Sequence, residues 1–250
     1  MPLEAPLAPA AERAADLNRR HRHHAGADVL AHALSDPQVG HTALVSSFGA
    51  ESVVLLHMVS VIDRTTPVLF IDTEMLFPET LDYQRDLAER LKLTDIRIIR
   101  PDRDEVFLRD GSNTLHQTHP DACCTLRKAR PLQQAVASFD GWITGRKRFQ
   151  GGRRAALEFF EADTKNRIKI NPLAHWSASD LQDYITNNRL PRHPLVTKGY
   201  PSIGCLPCTT RVAPGEDPRA GRWRGQEKDE CGIHFEDGKA VRPVTPQETA

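Results

Sequence analysis

Aromatic residues are scarce in this 250-residue chain: Phe, Trp and Tyr make up 6% of it. That is too few to interleave with the basic residues as stacking platforms for single-stranded nucleic acid. Neither sign of charge is in excess, with 33 Lys and Arg against 33 Asp and Glu, so net charge implies no polyanionic partner. No apolar run approaches the length that spans a bilayer. Residues 1–15 are rich in Ala, Pro and Glu, with neither the basic-then-apolar pattern of a secretory leader nor a cleavage motif. Cysteine is sparse and odd in number, at five, which does not fit a secreted disulfide framework. These absences predict a soluble, cytoplasmic protein with no membrane partner. The length allows one sizeable core with an appendage.

What cysteine there is falls into a pattern. Gly204-Cys205-Leu206-Pro207-Cys208 carries a C-x-x-C pair, which brings two soft thiolates onto one turn and suits zinc or an iron–sulfur cluster. Two ligands do not complete a four-ligand site, and Cys123 and Cys124 are the remaining candidates if Cys231 stands alone. Adjacent cysteines are awkward for a regular tetrahedral zinc knuckle, although structural zinc remains an alternative. On a helix begun at Cys123, Lys128 lies one turn beyond Cys124, where an ammonium offsets the negative charge of a thiolate-bound core. The isolated Cys231 is a candidate nucleophile. Asp229 and Glu230 beside it oppose thiolate formation, while Lys228, His234 and the upstream arginines favour it.

In chain order, Ala11 to Leu34 has helical spacing, and its tract of His21, His23 and His24 among Arg19, Arg20 and Arg22 reads as a solvated face, with a metal-binding tract as the alternative. Strands are expected at His41 to Ser47, Pro67 to Asp72, Ile96 to Ile99, Asp140 to Thr144 and Arg167 to Ile170. Helices are expected at Glu51 to Ile62, at Pro78 to Leu91 opened by its proline, and at Cys123 to Phe139 with a kink at Pro131. Another runs from Ser177 to Asn187, with Ser177 and Asp180 as its cap. Alternating strands and helices predict an α/β fold with a doubly wound, largely parallel sheet. From Pro191 onward regular periodicity stops. Residues 1–40 are expected to form a mobile start and a helix, 41–208 the α/β domain, and 209–250 an irregular tail.

Ser46-Ser47-Phe48-Gly49-Ala50-Glu51 is a strand-to-helix turn, and a helix N-terminus offers free N–H groups to an anion. At another strand end, Arg146, Lys147, Arg148, Arg153 and Arg154 surround a Gly-Gly pair. A second basic set, Arg219, Arg222 and Arg224, lies between the C-x-x-C and Cys231. Guanidinium forks match phosphate and sulfate oxygens, so two such groups at one sheet edge suggest a small polyanion.

From Thr42 to His234 the chain resembles the assimilatory adenylyl-sulfate (APS) reductases, the iron–sulfur branch of the PAPS/APS reductase family, within the adenine nucleotide α-hydrolase-like group. The resemblance rests on SSFGAES, CCxxRK, TGRKRFQGGRR, NPLAHWS, GYPSIGCLPCT, PRAGRW and ECGIH, in that order. It implies that Ser46, Ser47, Phe48, Gly49, Lys147, Arg148, Arg154, Arg219, Arg222 and His234 bind substrate. It also implies that Cys123, Cys124, Cys205 and Cys208 hold a [4Fe–4S] cluster near Lys128. Cys231 matches a nucleophile that takes the sulfo group of APS as S-sulfocysteine, and thioredoxin then frees sulfite. The chain ends soon after ECGIH, so an external reductant is expected rather than a fused redox domain. No nucleic-acid partner is implied, and a homo-oligomer is permitted. A PAPS-preferring or dual-specificity reductase is the near alternative. A tRNA-thiolating enzyme would need an SGGxDS-type ATP loop, and SSFGAES is not one. Asp72-Thr73-Glu74 departs from the family pattern by placing a carboxylate where glycine is common.

Overall fold

The computed structural model describes residues 7–151, 154–226 and 228. Two helices, α1 (Ala10–His21) and α2 (Gly26–Ala33), precede β1 (Thr42–Ser46), α3 (Ser52–Ile62), β2 (Val68–Ile71), α4 (Pro78–Leu91) and β3 (Ile96–Ile99). The short helices α5 (Arg103–Asp110), α6 (Leu115–Thr118), α7 (Pro120–Cys124) and α8 (Arg130–Ala135) lead to β4 (Gly141–Ile143). Then follow β5 (Phe160–Ala162), β6 (Ile168–Ile170) and α9 (Ala178–Asn187). The sheet order is β3-β2-β1-β4-β6-β5, parallel except for β5, which runs antiparallel to β6. Among the described residues no helix is long and apolar enough to cross a membrane.

The central strands β1, β2 and β4 are covered on both faces, which is why they read as apolar runs, whereas the edge strand β3 carries Arg97 and an exposed Ile98. On β2, Val68 and Phe70 join the core formed with α1 to α4 and α9. Leu69 and Ile71 point the other way, into a smaller core with Leu132 and Val136. The Ser177 cap is present as expected, as a reciprocal capping box with Asp180.

Three local expectations change. The single helix expected over Ala11 to Leu34 is two, interrupted by a turn over 22–25, and α2 starts at Gly26, where an added Cβ would stand 2.2 Å from the Pro172 carbonyl oxygen. The Cys123 to Phe139 helix widens to a π turn over Thr125–Ala129, upstream of Pro131, which has no amide to give the carbonyl four residues back. The His/Arg tract is not wholly solvated: His23 is exposed, but His21 is buried against Phe160 of β5, with ring centroids 5.7 Å apart.

His193 couples this fold to pH. Its side chain is buried, Nδ1 accepts from the Leu195 amide at 3.2 Å, and Nε2 meets Thr80 Oγ1 at 3.1 Å. Burial pushes its pKa from 6.5 down to about 4. Between those values the unfolded chain binds a proton that the folded chain refuses, so stability is full above about pH 6.5 and falls as pH drops toward 4. The expected loss is about 3 kcal/mol. Urea titrations across this range should show it in the parent and a flatter profile in His193→Gln; identical slopes would remove His193 as the cause.

Candidate active site

The chain order of the strands reverses direction at β1, with β2 on one side and β4 on the other, so the turns that follow β1 and β4 face each other across a crevice. A cavity of about 640 Å³ lies there, lined by Ser46, Ser47, Gly49 and Glu51 from the first turn and by Thr144 to Lys147 from the second. Its size is that of a small-molecule site. Thr73 after β2 and the segment from Pro201 to Cys205 close other sides.

The lining is strongly cationic: Lys128, Arg146, Lys147, Arg154, Arg192, Arg219 and Arg222 face it, against two carboxylates, Glu51 and Asp217. Lys147 is buried, and its ammonium meets Glu51 Oε2 at 2.6 Å. Burial depresses its pKa, the Glu51 carboxylate opposes that, and the charges of Arg154 and Arg219 depress it further. Cations from two distant segments therefore act on one another across this space, a repulsion that an anionic ligand relieves. Arg222 stacks over the Trp223 ring at 4.5 Å. It also lies so close to Gly204 that a Cβ there would stand 2.1 Å from its Nη2. Its Nε has no hydrogen-bond partner among the described residues.

Not every residue expected at the substrate arrives there. Ser46, Ser47, Gly49, Lys147, Arg154, Arg219 and Arg222 line the cavity. Phe48 does not: its left-handed backbone (φ 49°) turns the ring into the core against Phe70, with centroids 5.2 Å apart. Arg148 also turns away, donating to the Leu157 carbonyl at 2.5 Å and to Glu158 at 2.9 Å. Cys231 and His234 lie outside the described residues, as do Gly152 and Arg153. The cavity adds Arg146, held by Glu161 and Asn171, and Arg192. Arg192 stands in an irregular stretch where no local pattern marks it.

Beside Thr73, the sulfurs of Cys123, Cys205 and Cys208 pack into a cluster with Met75 and Trp223. Cys123 and Cys124 end α7, Cys205 and Cys208 flank one turn, and all four are free and buried. Thr73 Oγ1 lies 3.2 Å from Cys205 Sγ, and the Leu206 amide donates to the Met75 carbonyl at 2.8 Å. Burial first, then the sulfurs of Cys124 and Cys205, push the Cys123 thiol up to about 12. Cys208 is raised by burial and Cys205, with Lys128 pulling the other way. Among the described residues, His21, His24 and His32 form a separate trio of metal-competent side chains, with ligand atoms all within 4.8 Å of one another.

The π turn sets two cations beside the cavity and the thiol cluster. Arg127 is buried and forks onto Asp110 Oδ2 at 2.9 and 3.2 Å, while Nη1 reaches the Thr73 carbonyl at 3.2 Å. Lys128, next to it, lines the cavity. Glu74 shows why glycine suits its position: its φ is 59°, in the left-handed region, held by its amide donating to Asp72 Oδ1 at 3.0 Å.

The described tail approaches the same place. Lys228 pairs with Asp121, beside the cysteines of α7, and lies 5.7 Å from the Trp223 ring centroid.

Comparison with known proteins gives these features a family. The phosphoadenosine phosphosulfate reductase domain matches residues 41–211. The adenosine 5'-phosphosulfate reductase of Mesorhizobium japonicum is 49% identical over 90% of this chain and 88% of its own. That of Chelativorans sp. strain BNC1 is 49% identical over 78% of this chain and 80% of its own. Among solved structures, phosphoadenylyl-sulfate reductase from Candida auris, in a phosphate complex, superposes with a TM-score of 0.68 at 27% identity, covering 83% of this chain and all of that one. A parallel sheet with a cationic crevice at its reversal point, beside four gathered thiols, together with these likenesses, places the chain in the adenosine and phosphoadenosine 5'-phosphosulfate reductase family.

Proposed function

We propose that the protein reduces adenosine 5'-phosphosulfate (APS) to sulfite and AMP in sulfate assimilation, with thioredoxin as the reductant. The observation that carries this reading is the convergence of Lys147, Arg154, Arg219 and Arg222 on a cavity whose wall includes Cys205 of the thiol cluster and the Thr73 that meets its sulfur.

Cys231, on the 209–250 tail, is the nucleophile. Lys228, three residues before it in sequence, pairs through its ammonium with Asp121 on α7, beside Cys123 and Cys124. The Cys231 thiolate attacks the sulfate sulfur of APS. A sulfur–sulfur bond forms, and the bond from that sulfur to the bridging oxygen breaks, leaving with AMP. A thioredoxin thiolate then attacks Cys231 Sγ and releases sulfite, and its second thiol resolves the mixed disulfide, so two electrons come from the dithiol. Two anions must meet in the first step. Arg219, Arg222 and Arg154 neutralise sulfate and phosphate oxygens through charge-assisted hydrogen bonds. Lys147, steadied by Glu51, and Ser47 and Gly49 before α3 receive the phosphate.

Cys123, Cys124, Cys205 and Cys208 would hold a [4Fe–4S] cluster, with Lys128 against it. Four buried thiols match the four-cysteine ligand set of such a core, and the adjacent Cys123 and Cys124 do not fit the separated knuckles of a structural zinc site. Bound there, the cluster supplies a fixed iron–sulfur core at the cavity wall.

Anaerobic protein given APS, thioredoxin, thioredoxin reductase and NADPH should release sulfite and AMP in equal amounts, with a higher kcat/KM for APS than for PAPS. A preference for PAPS would overturn the substrate assignment. Arg222→Ala should lower kcat/KM by about 10- to 150-fold, the loss of one charge-assisted contact worth about 1.5–3 kcal/mol. Unchanged kinetics would take Arg222 out of the site.

A further inference from the structure

His21 ends α1, and the turn through residues 22–25 carries the chain into α2, so His24 and His32 come up beside it. None of the three lines the cavity or belongs to the thiol cluster. One ring nitrogen from each lies within 4.8 Å of the others. The ring centroids are 5.0 Å apart for His21–His24 and His21–His32, and 5.6 Å for His24–His32. His21 is 6% exposed, yet neither of its nitrogens has a hydrogen-bond partner among the described residues. A buried imidazole with both nitrogens unsatisfied is uncommon in a folded protein, and it asks what completes it. Burial, then His32 and His24, depress its pKa, which keeps it neutral, the form that binds a metal. His24 and His32 are exposed, so the outer side of the trio is open to water. The neighbouring cation that opposes a metal is Arg20, and it is engaged by Asp16 at 3.0 Å and Asp36 at 3.1 Å.

We propose that His21, His24 and His32 bind a divalent transition metal, zinc foremost, through one nitrogen each, with water as the fourth ligand. Three imidazoles without a carboxylate suit zinc, copper or nickel and not magnesium or calcium. His24 and His32, the two exposed members, are the side chains that would close on the ion. The ion would clasp the α1–α2 corner. Through His21 against Phe160, and Asn18 bonded to the Phe160 carbonyl and amide at 2.8 and 3.0 Å, it would also tie that corner to the antiparallel edge strand β5. Its role is a structural staple, independent of the sulfur chemistry.

The test uses full-length, tag-free protein with its native cofactor content, dialysed anaerobically against micromolar zinc. The parent should retain one added zinc per chain in a nitrogen and oxygen shell at about 2.0 Å by X-ray absorption, with a raised Tm. The double variant His24→Ala/His32→Ala should lose both the zinc and the Tm shift while keeping the parent circular dichroism and sulfite production. His32→Gln alone, a milder change, should weaken uptake in the same direction. No zinc on the parent, equal uptake by the variants, or a sulfur shell at about 2.3 Å would each overturn the proposal.

Discussion

In the Cys231→Ser variant, sulfite release from APS should fall to background, a loss of about 10⁴-fold or more, while APS binding and iron content stay at the parent level. Serine is nearly isosteric but its hydroxyl stays protonated at neutral pH, so the attacking anion is gone. No other sulfur can substitute. Cys123, Cys124, Cys205 and Cys208 are all buried, and as the proposed cluster ligands they have no free thiolate to offer. Intact-mass measurement of protein mixed with APS, without reductant, should find one added sulfo group on the parent and none on the variant. An adduct on the variant, or steady turnover by it, would refute Cys231 as nucleophile.

Cys205→Ser should abolish the iron–sulfur chromophore, because the remaining three thiols cannot close the core. The position is also structural. Cys205 bridges to Leu76, its Sγ meets Thr73 Oγ1, and its carbonyl accepts from Thr209 Oγ1 at 2.8 Å. Losing the core leaves three buried thiols beside Lys128, and the wall of the cavity at this position loosens. Turnover should therefore fall along with iron. Iron analysis and visible absorption of the anaerobically purified variant decide the matter: a full iron complement would strike Cys205 from the ligand set. A parent that carries zinc and no iron would discard the cluster altogether.

Some features were legible before folding because their causes are local. The apolar runs of β1, β2 and β4, buried on both faces, and the capping box at Ser177 depend on neighbours within a few residues. The family motifs were legible too, since each is a short contiguous run in a set order. β5 was not: Phe-Glu-Ala is three residues long and exists as a strand because β6 pairs with it. Arg146 and Arg148 could not be told apart either. One residue, Lys147, separates them, and what sorts them is that Glu161 on β5 draws Arg146 inward while Glu158 takes Arg148 outward.

From residue order alone came the α/β class, the four-plus-one division of the sulfurs and the basic segments on either side of the C-x-x-C. Tertiary structure alone decided which cations share a cavity, that Cys205 belongs to its wall, and that His21 meets His32 rather than solvent. The reason is physical. Burial and tertiary packing join residues a hundred or more positions apart, as Thr73 Oγ1 meets Cys205 Sγ, and no short-range periodicity carries that information.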